Sequence, residues 1–339
     1  MVERGHEVTV YCRTSHYAPV ERKQCHLGMR LVYRPAVHQK HLETISHTAI
    51  SALRLPRGAS VVCVGVGNAP VIRMLEMSGQ RTVFNVDGAD WQRAKWGGFA
   101  SRYLRFCEAL AAGGSSILVA DAAAVESYYR ERYERETRLV PYGADAPADR
   151  GTDTVEELGL KDGDYLLWVG RLVPENDPLA FLEGVRRARI ASPAVVVGDS
   201  SYMDGYKAEL HAAAPGNAVF AGYRFGSAYQ QLTSHAGLFV LAASVGGTHP
   251  VLVEQMAAGN AILARDTDSN REVLGEEGLF WQTPEELAAL LTEVWPDRQR
   301  RRELGKRARA RARDRYDWEK VTSSYLELCE ESLRPATSR

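Results

Sequence analysis

The sequence predicts an α/β protein built from two doubly wound domains. Three observations carry this. The 339 residues suit two domains at roughly 100–200 residues each. Short β-branched runs alternate with longer helix-like stretches, the pattern of parallel sheets with helices on both faces. One segment, LVPYGADAPADRGTDTVEELGL from Leu139 to Leu160, breaks the alternation with clustered Pro, Gly, Asp and Ala, as a domain junction does.

Strands are expected at Glu7–Tyr11, Ser60–Gly65, Arg81–Val86, Ser116–Ala120 and Thr137–Val140 before the junction. After it they are expected at Tyr165–Gly170, Ala194–Gly198, Ala218–Ala221, Gly237–Leu241 and Ala261–Ala264. Helices are expected at Val71–Ser78, Trp96–Ala112, Ala122–Tyr133, Pro178–Arg189 and Pro250–Ala258, among others. The division falls near Gly143–Asp149. Two such domains enclose a cleft, and ligands of open α/β sheets sit beyond the carboxyl ends of the strands. The loops that follow strands are therefore where chemistry is sought.

Composition narrows the partners. A formal net charge of −1 gives no overall attraction to nucleic acid or to an acidic membrane. The five cysteines are scattered and form no CxxC pair, so neither zinc nor a disulfide framework is expected, and a reducing cytoplasm is. No run of about 18 apolar residues suggests a membrane span. The segment RQRRRELGKRARARARDRY reads first as a solvated late helix over Arg298–Arg315. Its basic face also allows weak peripheral contact with anionic lipid.

Four loops hold candidate site residues. CVGVGNAP, Cys63–Pro70, is half a dinucleotide fingerprint with Pro70 where a third glycine belongs. It reads as a tight turn that presents Asn68. FNVDGADWQRAKWG, Phe84–Gly97, gathers Asp87, Asp90, Trp91 and Lys95 after a strand. Aromatic faces and carboxylates suit sugar binding, while Trp91 and Trp96 serve equally as packing anchors and Asp90 as a helix cap. Asp87, at the strand end itself, is the stronger functional candidate.

In LLWVGRLVPENDPLAFLEGV, Leu166–Val185, a strand ends at Gly170 and Arg171 follows at once. A guanidinium there can grip phosphate with its planar fork, or be an ordinary surface arginine. Asp177 and Pro178 read as N-cap and first helical residue. In SVGGTHPVLVEQMAAGNAIL, Ser244–Leu263, the amides of Gly246, Gly247 and Thr248 precede a helix opened by Pro250. Amides and helix dipole together suit an anion. Glu254 lies about 6 Å along the axis at 1.5 Å per residue. It can meet paired sugar hydroxyls or be a solvated helix glutamate.

Taken in order, these pieces resemble the family-4 retaining glycosyltransferases of the GT-B fold. GHEVTVYCR resembles the second strand of that family's N-terminal domain. RLVPYGAD resembles its junction and WVGRLVPEN its donor-phosphate loop. VEQMAAGNAIL resembles its glutamate-bearing helix, and the terminal YDWEKVTSSYLELCEE completes the set. LETISHTAISAL, NVDGADWQRAKWG, PEN and SVGGTHPVLVE resemble a bacterial subgroup that includes rhamnosyltransferases.

The resemblance implies two Rossmann-like domains facing a cleft. Residues 1–145 would hold the acceptor, 146–315 the nucleoside diphosphate sugar, and a terminal helix over 316–335 would cross back to the first domain. It implies transfer of a sugar, such as a deoxyhexose, with retained configuration and without cofactor or metal. The acceptor would be a glycan, a lipid-linked glycan or a small natural product. Asp87 and Arg171 would be catalytic. Gly170, Asn176, Gly246, Gly247, Thr248, Glu254 and Arg271 would join Arg171 on the donor, with Asn68, Asp90, Trp91 and Lys95 on acceptor or sugar.

Three departures from the family pattern stand out. Gly246 occupies the place of a first glutamate, eight residues before Glu254, and Asn176 that of a lysine. Arg271, Lys207 or Lys95 would supply the lost charge. Met1 falls near the end of what resembles the first helix, so the first strand and glycine-rich loop are expected to be missing from the N-terminal domain. Two other functions stay open: a nucleoside-diphosphate-sugar epimerase on the same fold, and a non-catalytic nucleotide-sugar-binding partner protein.

Overall fold

Strands form where four or five aliphatic residues run together between helices. The computed structural model describes residues 1–39, 42–87, 98–200 and 203–334. The chain divides into two units, Met1–Val140 with Thr322–Arg339, and Pro141–Val321.

The first unit contains β1 (Thr9–Arg13), β2 (Cys25–His26), β3 (Met29–Arg34), α1 (Glu43–Ala52), β4 (Val61–Val64) and α2 (Ala69–Met77). It continues through β5 (Thr82–Asn85), α3 (Gly98–Ala112), β6 (Ile117–Ala120), α4 (Ala123–Tyr133) and β7 (Arg138–Leu139). The strands of this unit fall in two sheets. One has the order β1-β3-β2, with β1 parallel and β2 antiparallel to β3. The other runs β4-β5-β6-β7, all parallel. β5 and β6 are buried at every position, as central parallel strands must be.

Among the described residues β1 and β4 each have one unpaired edge, and a cavity of about 780 Å³ lies beside both. Consecutive residues line it, His6–Tyr11 from one sheet and Val61–Val64 from the other. A strand's face would offer only alternate residues, so the cavity meets the strands along their edges. Val62 and Val64 stay 43% and 49% exposed there, far above the fully buried Val83 and Phe84 of β5.

Cys63 faces this cavity, and burial pushes its thiol up to about 12. Cys25 is exposed. Only on the order of one Cys63 in 10⁴ is a thiolate at pH 8, and the thiolate is the nucleophile. Iodoacetamide at that pH is expected to alkylate Cys25 long before Cys63, followed by mass spectrometry of timed digests. Equal rates would mean that water reaches Cys63 freely.

The second unit contains α5 (Asp153–Glu157), β8 (Leu166–Val169), α6 (Pro178–Ala188), β9 (Ala194–Val197), α7 (Asp204–Ala213) and β10 (Ala218–Gly222). Then come α8 (Gly226–Ser234), β11 (Leu238–Leu241), α9 (Pro250–Ala258), β12 (Ile262–Arg265), α10 (Asp268–Leu274) and β13 (Leu279–Trp281). α11 (Pro284–Val294), α12 (Arg298–Arg315) and α13 (Trp318–Leu333) close the chain. The six strands are parallel, in the order β10-β9-β8-β11-β12-β13. That is the doubly wound order 3-2-1-4-5-6, whose winding reverses between β8 and β11.

Two hydrophobic layers cover the faces of this sheet. Leu167, Val195, Phe239 and Ile262 point into one, and Leu166, Val196, Val240 and Leu263 into the other. Alternate residues of each strand thus serve opposite layers, as the pleat requires.

α12 matches the expected helix, and much of its charge is structural. Arg301 is buried and donates to the carbonyls of Gly163 and Gly237 at 3.1 and 3.0 Å. Arg311 donates to Val273 and Glu272, carbonyls of the last turn of α10. Within the first unit, the end of α13 is held by Tyr325 on Asn85 and by Ser332 beside Ser60. No helix of the described residues is long and apolar enough to cross a membrane.

Candidate functional site

The winding reversal of the second unit places two loops side by side, those after β8 and after β11. The Ser244 amide donates to the Glu175 carbonyl at 3.4 Å and joins them. A crevice at such a reversal is where ligands of open α/β sheets bind.

The first loop begins as β8 ends. The Gly170 amide still pairs with Val197, and Arg171 follows, exposed. The Arg171 guanidinium has no ion pair among the described residues. Asn176, expected on the donor, donates its side-chain amide to the Arg171 carbonyl at 2.9 Å and so braces this loop. Asp177 adopts a left-handed φ of 45° and caps α6 by accepting from the Ala180 amide.

The second loop carries Gly246 at φ 143°, a conformation that suits glycine. A Cβ there would lie 2.8 Å from the His249 ring, which would have to shift to admit it. Ser269 fixes the turn by donating to the Gly246 carbonyl at 3.0 Å. The Gly246 and Gly247 amides have no acceptor among the described residues. Thr248 is buried, and α9 begins at Pro250.

One turn into α9, Glu254 is half-buried. Burial raises its carboxyl above the usual range, and a hydrogen bond from Tyr229 pulls the other way. The Tyr229 hydroxyl donates to Glu254 Oε2 at 2.5 Å. The surface-glutamate reading of Glu254 does not describe this environment.

The proposed replacement charges are already engaged. Arg271 makes a two-point pair with Asp266, at 2.5 and 2.7 Å, and lies over the Phe280 ring. Lys207 pairs with Asp199 and Asp204 at 3.2 and 3.0 Å. Lys95, Asp90 and Trp91 lie outside the described residues.

Two further residues escaped sequence reasoning. Tyr229 is one. Arg265 is the other, at the end of β12: it stacks over Trp281 at 4.8 Å, reaches Asp177 at 3.4 Å, and keeps a buried Nη1 without a partner among the described residues. Its position straight after the strand run AILA was the available signal.

In the first unit, Asn68 is buried and donates to the Val64 carbonyl at 3.0 Å, bracing the turn after β4. Asp87 stands two residues beyond β5 in the left-handed region, φ 58°, its amide held by Asn85 Oδ1 at 2.8 Å. Its carboxylate has no hydrogen-bond partner among the described residues. A non-glycine residue held at positive φ beside a strand end is a recurrent feature of functional loops.

Comparison with known proteins adds to this geometry. Residues 163–297 match a family model described as glycosyl transferases group 1, and residues 62–145 one described as a domain of unknown function, DUF1972. No curated protein matches the sequence. Among solved structures, sucrose-phosphate synthase from Thermosynechococcus elongatus is 18% identical, with TM-score 0.80 over 97% of this chain and 90% of that one. Anabaena Alr3699/HepE in complex with UDP-glucose is 18% identical, with TM-score 0.74 over 88% and 86%. A glycosyltransferase from Rickettsia africae is 12% identical, with TM-score 0.60 over 83% and 100%. The chain thus has the GT-B fold, and its residues 163–297 are similar to the group 1 glycosyl transferases.

Proposed function

We propose that this protein is a retaining glycosyltransferase. It moves a sugar, in our reading a deoxyhexose such as rhamnose, from a nucleoside diphosphate sugar to an acceptor hydroxyl. The acceptor is a glycan, a lipid-linked glycan or a natural product, held by the first unit. One observation carries the reading. The segment that matches group 1 glycosyltransferases contains the winding reversal, with unpaired Arg171 on one side and the Gly246–Gly247 amides on the other.

In this mechanism the developing diphosphate charge is met by the Arg171 fork, the free amides and the N-terminus of α9. Glu254 accepts from the donor ribose. The acceptor hydroxyl attacks the anomeric carbon on the face the diphosphate leaves, and the diphosphate takes the proton. Asp87 orients the acceptor or the sugar. Exposed Arg302, Lys306 and Arg313 share one face of α12 and support weak contact with an anionic membrane surface.

The test is a thermal-shift screen of UDP-, GDP- and dTDP-sugars, followed by acceptor assays with the best donor. A ligand at 100 times its Kd stabilises the state that binds it by about 2.7 kcal/mol. One nucleotide class is expected to raise the melting temperature, with sugar transfer following. Donor converted without any acceptor would favour the epimerase reading, and no shift with any donor would remove the site.

A further inference from the structure

Glu254 is tethered from behind. Tyr229, on α8, sits 25 residues earlier in the chain and donates to Glu254 Oε2 at 2.5 Å. A hydroxyl on a carboxylate is a short, charge-assisted bond. The bond is part-buried and adjoins buried Gln255 and Thr233, where polar networks fix a single geometry. Gln255, next to Glu254, is fully buried and donates to Thr233 Oγ1 at 3.1 Å, with its amide nitrogen 3.4 Å from the Tyr229 oxygen. Asn260 donates to Gln255 Oε1 at 2.6 Å and to the Thr233 carbonyl at 2.9 Å. These bonds lock α8 to α9 on the side away from water. One oxygen of Glu254 is held, and Oε1 has no partner among the described residues.

We propose that Tyr229 is a positioning residue for the nucleotide: it holds Glu254 Oε2 so that Oε1 is presented to a ribose hydroxyl. The inference rests on the assignment of Glu254 to the donor ribose. A glutamate without this tether rotates about three bonds, and a ligand must then order it on binding. Tyr229→Phe keeps the ring and the packing and removes only the donated hydrogen bond.

Titration calorimetry separates this from a structural role, with UDP and 2′,3′-dideoxy-UDP as probes (GDP and its dideoxy form, or dTDP and its 3′-deoxy form, where UDP fails to bind). Tyr229→Phe is expected to weaken UDP about three- to tenfold, the cost of ordering one side chain. It is expected to leave dideoxy-UDP, which lacks the ribose hydroxyls, unchanged. In a Glu254→Ala background, Tyr229→Phe is expected to have no further effect on UDP. Equal weakening of both ligands would make Tyr229 structural and overturn the proposal. So would unchanged UDP affinity, which would leave Glu254 in its role. Wild-type protein that binds UDP and dideoxy-UDP equally would overturn Glu254's ribose role and the proposal with it. Wild-type protein that binds none of UDP, GDP and dTDP would overturn the site as a whole.

Discussion

Arg171→Ala is expected to lower sugar transfer about 100- to 1000-fold, the usual cost of losing one donor to a developing oxyanion. The unfolding midpoint in urea is expected to stay where it is. Both halves follow from the local structure. Arg171 is exposed, packs into neither core and has no ion pair among the described residues, so its removal leaves no cavity and no stranded charge. The other nearby candidates cannot step in without cost. Arg271 is held by Asp266, and Lys207 by Asp199 and Asp204. Arg171→Lys keeps the charge but loses the planar fork, and should fall between the two. Steady-state kinetics with the best donor decide this. Transfer within threefold of wild type in Arg171→Ala would remove the guanidinium from the mechanism.

What the sequence conveyed, it conveyed through burial. Strands β8, β9, β11 and β12 are buried on both faces and read as short unbroken apolar runs, so they were placed to within a residue or two. The β2–β3 hairpin went unseen. Its turn residues, Leu27 at φ 48° and Gly28 at φ 75°, form a primed two-residue turn, but leucine is not the asparagine or aspartate that signals one. The division of the first unit into two sheets was equally hidden, because pairing between strands distant in sequence leaves no local pattern.

The candidate site was legible in part for the same reason. Arg171 stands two residues beyond β8 and Gly246 in the loop that follows β11, where position after a strand marks them. Tyr229 does not. It looks like one polar-tipped residue of an ordinary helix, and only tertiary packing brings it to Glu254. Asn176 and Asn68 illustrate the reverse. Both sit in loops that follow strands, yet their amides are committed to the backbone carbonyls of Arg171 and Val64. A sequence shows that a polar side chain is present; it does not show which acceptor has already claimed it.

Gly198→Ala should destabilise the protein by about 3 kcal/mol, the upper end for a strained backbone position. Gly198 directly follows β9 at φ 130°, where an L side chain is strained. A Cβ on it would lie 1.9 Å from the carbonyl oxygen of Gly170, which is backbone and cannot rotate aside. Neither residue can retreat easily. The Gly198 amide is bonded to Gly222 at 2.8 Å and the Gly170 amide to Val197 at 3.0 Å. Relief must come from moving Gly170, and Arg171 moves with it. Two readouts should therefore shift together: the urea midpoint, down by about 1–2 M at a slope near 2 kcal/mol per M, and the KM for donor, upward. Gly216→Ala is the control, since its Cβ would meet nothing within 4 Å and should change stability by less than about 1 kcal/mol. A lower midpoint with an unchanged donor KM would separate the packing of β9 from the placement of Arg171. An unchanged midpoint would mean that the β8 loop has room to spare, and that the arginine is held by Asn176 rather than by the close approach of the two glycines.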